Sequence, residues 1–185
     1  METNDQGLSR DRPTTVKGAD VLRHVKGADV LRFGVIDDHG HRMSGDVALD
    51  MVERWLCGGP REAEFFWNFR NTNARYSFDR PEAQKVVAVI DNVWVSAREG
   101  LDGVVVGKVL ADYSVVDTPE GRVLDAMLEA GMPMEPAVGG TATFSQQLSA
   151  MRETGDSLLV SARHPEEIVS FRVERVTFVF SWEKP

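Results

Sequence analysis

The segment Ile168-Val-Ser-Phe-Arg-Val-Glu-Arg-Val-Thr-Phe-Val-Phe-Ser-Trp182 carries the strongest fold signal in the chain. Val169, Phe171 and Val173 fall on odd positions, whereas Val176, Phe178 and Phe180 fall on even ones. A strand with period two cannot change parity without an extra residue, so a bulge is expected near Glu174-Arg175. Bulged, curved strands are common where a sheet bends round on itself. The expected class is therefore α+β, with a mainly antiparallel, closed or nearly closed β-barrel flanked by helices.

Working outward, Val86 to Val95 and Gly103 to Leu110 are Val-rich and read as strands, joined by a loop holding Arg98-Glu-Gly100. Thr118-Pro119-Glu120 opens a helix, with Thr as cap, Pro at the first helical position and an acid in the first turn. Val123, Leu124, Met127 and Leu128 form its apolar stripe and Gly131 its stop. A second one-sided stripe, Val47 to Leu56, predicts a helix over Asp46 to Leu56, ended by Gly58-Gly-Pro60. Phe65, Phe66, Trp67 and Phe69 are read as a further short helix, and Phe33 to Ile36 as a short strand before the Asp37-Asp-His-Gly40 turn.

The beginning of the sequence differs from the rest. Residues Met1 to Thr15 hold one large aliphatic side chain, Leu8. Val16-Lys-Gly-Ala-Asp-Val-Leu-Arg-His24 then repeats as Val25-Lys-Gly-Ala-Asp-Val-Leu-Arg-Phe33, eight of nine positions being identical. Two copies of nine residues are too few and too short for a solenoid. They read as a tandem duplication, one copy leading into the first strand and the other lengthening an arm. The expected division is a flexible arm over residues 1–32 and a folded domain over residues 33–185.

Composition narrows the class further. The 185 residues carry 21 basic and 29 acidic side chains, a net charge of −8, which argues against a nucleic-acid-binding face. One cysteine, Cys57, excludes a disulfide framework or a thiolate-rich zinc site. The longest apolar run, Val86 to Ile90, is far too short to cross a bilayer, and the first residues hold no apolar segment of a secretory signal. The expectation is a soluble intracellular domain without a membrane partner.

Four stretches, in consistent order between Phe33 and Pro185, resemble the head-maturation (prohead) proteases of tailed phages, of the T-even type. Arg42 and the helix Asp46 to Trp55 resemble the N-x-N-G-R-x-Y-P stretch and the helix after it, without its asparagines, Tyr and Pro. Ser77-Phe-Asp-Arg-Pro-Glu82 is similar to the G-E-L-x-H-P-E segment. Asp117-Thr-Pro-Glu-Gly-Arg-Val-Leu124 with Leu128-Glu-Ala-Gly131 resembles the T-P-x-G-x-x-L…L-x-x-G helix. Val169-Ser-Phe-Arg-Val173 and Pro185 resemble the terminal strand. The resemblance implies a barrel of the prohead and herpesvirus protease kind and a serine peptidase, with histidine in the H-P segment and serine in an S-S-R-G segment.

This sequence departs from that pattern where the chemistry sits. Arg80 stands at the histidine position, and Ala137 and Val138 stand at the two serine positions. Alanine and valine offer no nucleophile, and an arginine cannot act as a base near neutral pH. The resemblance then implies a virion structural or assembly protein, a pseudo-protease that binds capsid, scaffold, portal or connector components and forms an oligomer. It would reside in the virion, and in the host cytoplasm during assembly. An active protease with Ser145 and His164 as a displaced catalytic pair is the enzyme-class alternative, and an unrelated α+β protein-binding module is the third.

Other residues have a chemical and a plain reading. His39 and His41 beside Asp37 and Asp38 suit a divalent ion, but a polar turn explains them, so neither metal nor cofactor is expected. Cys57, at a helix end, reads as a buried structural thiol. Phe65-Phe66-Trp67 is either sandwiched between layers or faces a partner, and it is taken as the partner-binding element together with the arm. Met127, Met132, Met134 and Met151 read as core and loop fillers.

Overall fold

The computed structural model describes residues 16, 18–37, 40–65, 85–100, 103–145 and 166–180. In chain order they form β1 (Val21–Phe33), β2 (His41–Met43), α1 (Gly45–Gly58), β3 (Glu62–Phe65), β4 (Ala88–Glu99), β5 (Val105–Val116), α2 (Pro119–Glu129), β6 (Met134–Phe144) and β7 (Glu166–Phe180).

The seven strands make one mixed sheet, ordered β1-β5-β4-β3-β7-β2, with β6 also paired to β7. The β1/β5, β5/β4, β4/β3 and β6/β7 ladders are antiparallel, whereas β2 and β3 run parallel to β7. β6 occupies one edge of β7 along most of its length. The other edge is shared by β2, against Glu166–Ile168, and β3, against Val176–Phe178.

The bulge lies where the parity change places it. Gly140 pairs with Val173 and Gly139 with Arg175, so Glu174 is the extra residue. Gly140 allows the kink, because a Cβ there would collide with the carbonyl oxygen of Arg172. The closed barrel, however, is not formed. Among the described residues 59% lie in strands and 21% in helices, so the architecture is mostly β with an open sheet rather than α+β with a barrel. The edge strands β1 and β6 approach each other and α2 packs on both, but no hydrogen-bond ladder joins them. A bulge supplies curvature locally. Closure depends on long-range pairing of β1 with β6, which a local parity change in β7 does not determine.

Two further expectations change. Residues Val21–Arg32, read as part of an arm, are strand paired with β5. Phe65, read as helical, ends β3 opposite Phe178.

The core gathers one face of the sheet against α1. Ala48, Met51, Val52 and Trp55 of α1 are buried against Phe33, Phe65, Ile90, Val93, Val109, Tyr113, Val176 and Phe178. Each large side chain contributes about 1.5–3 kcal/mol through burial. Trp55 keeps its polar edge satisfied, donating from Nε1 to the Pro60 carbonyl at 2.6 Å. The Ser44 hydroxyl accepts from Val47 N to start α1, and the Thr118 hydroxyl accepts from Gly121 N to start α2. Met134 is buried, and Met127 and Met132 pack against the core, while Met151 lies outside the described residues.

Candidate functional site

The region that the resemblance assigns to the nucleophile is the middle of β6. Ala137 faces Thr177 and Val138 faces Val176 across the β6/β7 ladder, followed by Gly139 opposite Arg175. Neither Ala137 nor Val138 carries an atom that could attack a carbonyl. Ser145 lies just beyond β6, and its backbone N–H donates to the Glu167 carbonyl at 2.9 Å. Arg80, His164, Phe66 and Trp67 lie outside the described residues, so the Ser145–His164 pairing and two thirds of the aromatic run have no structural account. Phe65 itself is fully buried and belongs to the core.

His41 sits at the start of β2 between two carboxylates. Its Nδ1 is 3.5 Å from Asp37 Oδ2 and its Nε2 is 3.5 Å from Glu166 Oε2. The ring packs at 4.8 Å against Phe144, tilted by 44°, and the His41 backbone N–H donates to Asp37 Oδ1 at 2.8 Å. Asp38 and His39 lie outside the described residues. Among the described residues no group of three or more His, Cys, Asp or Glu side chains could hold a metal ion. Beside it Arg42 donates from Nε to Glu167 at 2.7 Å, which pins β2 to β7 and raises the guanidinium pKa. Cys57, expected to be buried, is exposed on the last turn of α1, because its side chain lies on the face away from the sheet.

A polar chain crosses the outer face of β1, β5 and β4, and sequence reading did not find it. His24 Nδ1 lies 2.8 Å from Ser114 Oγ, and Ser114 Oγ donates to Asp91 Oδ2 at 2.6 Å. Ser114 is 5% exposed although its partners reach solvent. Asp91 is the bulged residue of β4, since Ile90 pairs with Tyr113 and Asn92 with Asp112. Arg61 donates to the carbonyls of Ile90 and Asp91, and burial lowers its pKa, partly offset by the charge of Asp91. On β3, burial pushes the Glu64 carboxyl up, against the pull of Lys85 and Arg175. The available signals were His24, the one position at which the repeat copies differ, and a lone acid inside an apolar strand.

Serine, histidine and aspartate here are arranged for cross-strand bridging rather than attack. In a nucleophilic triad the acid orients the imidazole and the imidazole takes the serine proton. In this chain the serine hydroxyl donates to Asp91 Oδ2, and His24 Nδ1 lies 2.8 Å from the same hydroxyl. The hydroxyl is held from both sides, and the acid does not touch the imidazole.

Among the described residues no helix is long and apolar enough to cross a membrane. Comparison with protein-family models, with curated proteins and with solved structures finds no match for the chain.

Proposed function

We propose that this chain is a non-catalytic protein-binding module, and that its partners are head components of a tailed phage, such as capsid, scaffold or portal proteins. What supports the first half is the middle of β6, where Ala137 and Val138 stand at the positions that the resemblance assigns to the serine. The bridged state of Ser114 supports it, because the one described serine in contact with both a histidine and an acid has its hydroxyl engaged. The second half rests on the ordered set of motifs from Arg42 to Val173, and the barrel which that resemblance implied forms no part of it.

The open sheet favours a second reading, a binding module unrelated to the protease family. One experiment separates the two. The folded protein is mixed with the head proteins of its phage, complexes are isolated by size exclusion, and every component is weighed by intact mass. Co-elution with all masses uncleaved supports the head-assembly reading. Uncleaved masses without co-elution favour the unrelated module. Defined cleavage products contradict both.

A further inference from the structure

The two edges of β4 are served unequally. One pairs with β5 from Ala88 to Glu99, whereas β3 covers the other only at Ala88 and Val89. Ile90 N–H still donates to the Arg61 carbonyl, and the Arg61 guanidinium donates to the carbonyls of Ile90 and Asp91. Beyond Asp91, no hydrogen bond from a described residue reaches that edge.

The direction of its main-chain groups follows from both ends. In an antiparallel ladder, residues alternate between groups turned to the partner strand and groups turned away. Ile90 turns away from β5, towards Arg61, while Gly100 turns towards the incoming strand and donates to Val104 O at 2.8 Å. With Asp91 as the extra residue, the alternation between these ends turns Val93, Val95, Ala97 and Glu99 away from β5. Their N–H and C=O groups therefore recur at roughly 7 Å along an open edge, and the residues from Ser96 to Glu99 are exposed.

α1 supplies a wall beside this edge. It packs on both β4 and β7, and on one flank Arg54 donates to Ser170 Oγ of β7 at 3.5 Å. Leu49 and Leu56 lie on the opposite flank and are 49% and 39% exposed. That flank borders β4 at both ends. Val105, the partner of Glu99, lies against Gly45, and Arg61 joins the Leu56 carbonyl to that of Asp91. Side chains directly across a ladder share a face. Residues added opposite Val93, Val95 and Ala97 would thus turn to the side of α1, and those between them to the outer face beside Trp94.

Hydrogen bonding, size and charge select the occupant. Alternating donors and acceptors are complemented by another polypeptide backbone. The edge from Val93 to Glu99 is roughly 20 Å long and one strand, about 10 Å, wide, far below the ~800 Å² per partner of a globular interface. It suits one extended segment rather than the folded surface of a second copy. Asp91 and Glu99 stand at its ends and Glu53 between the two leucines, against Arg98, in a chain of net charge −8. A basic segment is favoured there and a second acidic copy is repelled.

We propose that the open edge of β4 from Val93 to Glu99, walled by Leu49 and Leu56 of α1, takes an extended segment of a partner protein as an added strand. The segment is apolar at every second residue and carries Lys or Arg between. This deepens the protein-binding reading above and is independent of the phage origin of the partner.

A yeast-displayed library of random segments of about nine residues, selected on the full chain, supplies the probe. Selected segments should share the alternating apolar and basic pattern, and their binding should slow amide exchange at Val93, Val95, Ala97 and Glu99. Ala97→Pro removes an N–H that has no part in the β4/β5 ladder, so the fold should persist while affinity falls by about tenfold or more. Leu49→Asp, at an exposed position, should weaken binding similarly and decides the matter alone if Ala97→Pro does not fold. A library that yields no binder overturns the proposal, as do segments that bind both variants as tightly as the unaltered chain. A dimer in sedimentation that Ala97→Pro dissociates also overturns it, because the edge then belongs to a second copy. Co-elution of head proteins that Ala97→Pro leaves unchanged refutes the edge and spares the head-assembly reading. Segments that bind as expected while no head protein co-elutes uphold the edge and refute that reading.

Discussion

Replacing Thr118 with alanine removes two hydrogen bonds at one atom. The hydroxyl accepts from Gly121 N at 2.9 Å as the cap of α2, and it donates to the carbonyl oxygen of Val86. Loss of a cap costs about 1 kcal/mol. Val86 is fully buried, so its carbonyl loses a partner that water cannot replace, at a further cost of about 1–3 kcal/mol. The sum is about 2–4 kcal/mol. With a urea slope of roughly 2 kcal/mol per molar, the unfolding midpoint should fall by roughly 1–2 M. Serine preserves both bonds and forfeits one methyl group, so Thr118→Ser should lose only about 1 kcal/mol. Equilibrium urea unfolding followed by tryptophan fluorescence and circular dichroism measures both variants. A Thr118→Ala loss below about 1 kcal/mol, or a Thr118→Ser loss equal to it, would refute the double role of the hydroxyl.

Other perturbations test the sheet and its core. Gly140→Ala should cost about 2 kcal/mol or more, because the new Cβ meets the Arg172 backbone, whereas Gly139→Ala meets only the Arg175 side chain and should stay within about 1 kcal/mol. Equal losses in thermal unfolding would remove the argument for the bulge at Glu174. Burial pushes the Tyr113 hydroxyl up to about 12, with the Arg23 charge opposing. In a Tyr76→Phe background, phenolate absorbance of the folded protein should therefore reach half-height near pH 12. Because the folded value is raised, the contribution of Tyr113 to stability is whole below the unfolded value of about 10 and is lost as pH climbs from there through about 12. A folded-state midpoint near 10 contradicts its burial.

Local features of this fold are legible in the sequence. The cap at Thr118, the stop at Gly131 and the parity change across Glu174 each depend on neighbours within a few residues, and the chain obeys them. Closure of the sheet depends on whether β1 and β6, over a hundred residues apart, pair with one another, and periodicity says nothing of that. The short strand ending at Phe65 escapes for a related reason. Four residues give too little alternation to read, and the consecutive rings after Glu64 hide the pattern. The bridge from His24 through Ser114 to Asp91 joins three strands that only the ladder brings together. Sequence could mark His24 as the odd position of the repeat, but not what it meets.

The most direct test of the proposed non-catalytic reading is reaction with a fluorophosphonate probe, read by intact mass on folded protein. Because the Ser114 hydroxyl is held between Asp91 and His24, and Ala137 and Val138 offer no nucleophile, the mass should remain unmodified. A stoichiometric adduct that maps to Ser114 or Ser145, and that disappears when that serine is replaced by alanine, would contradict the binding-module reading and make the chain an enzyme.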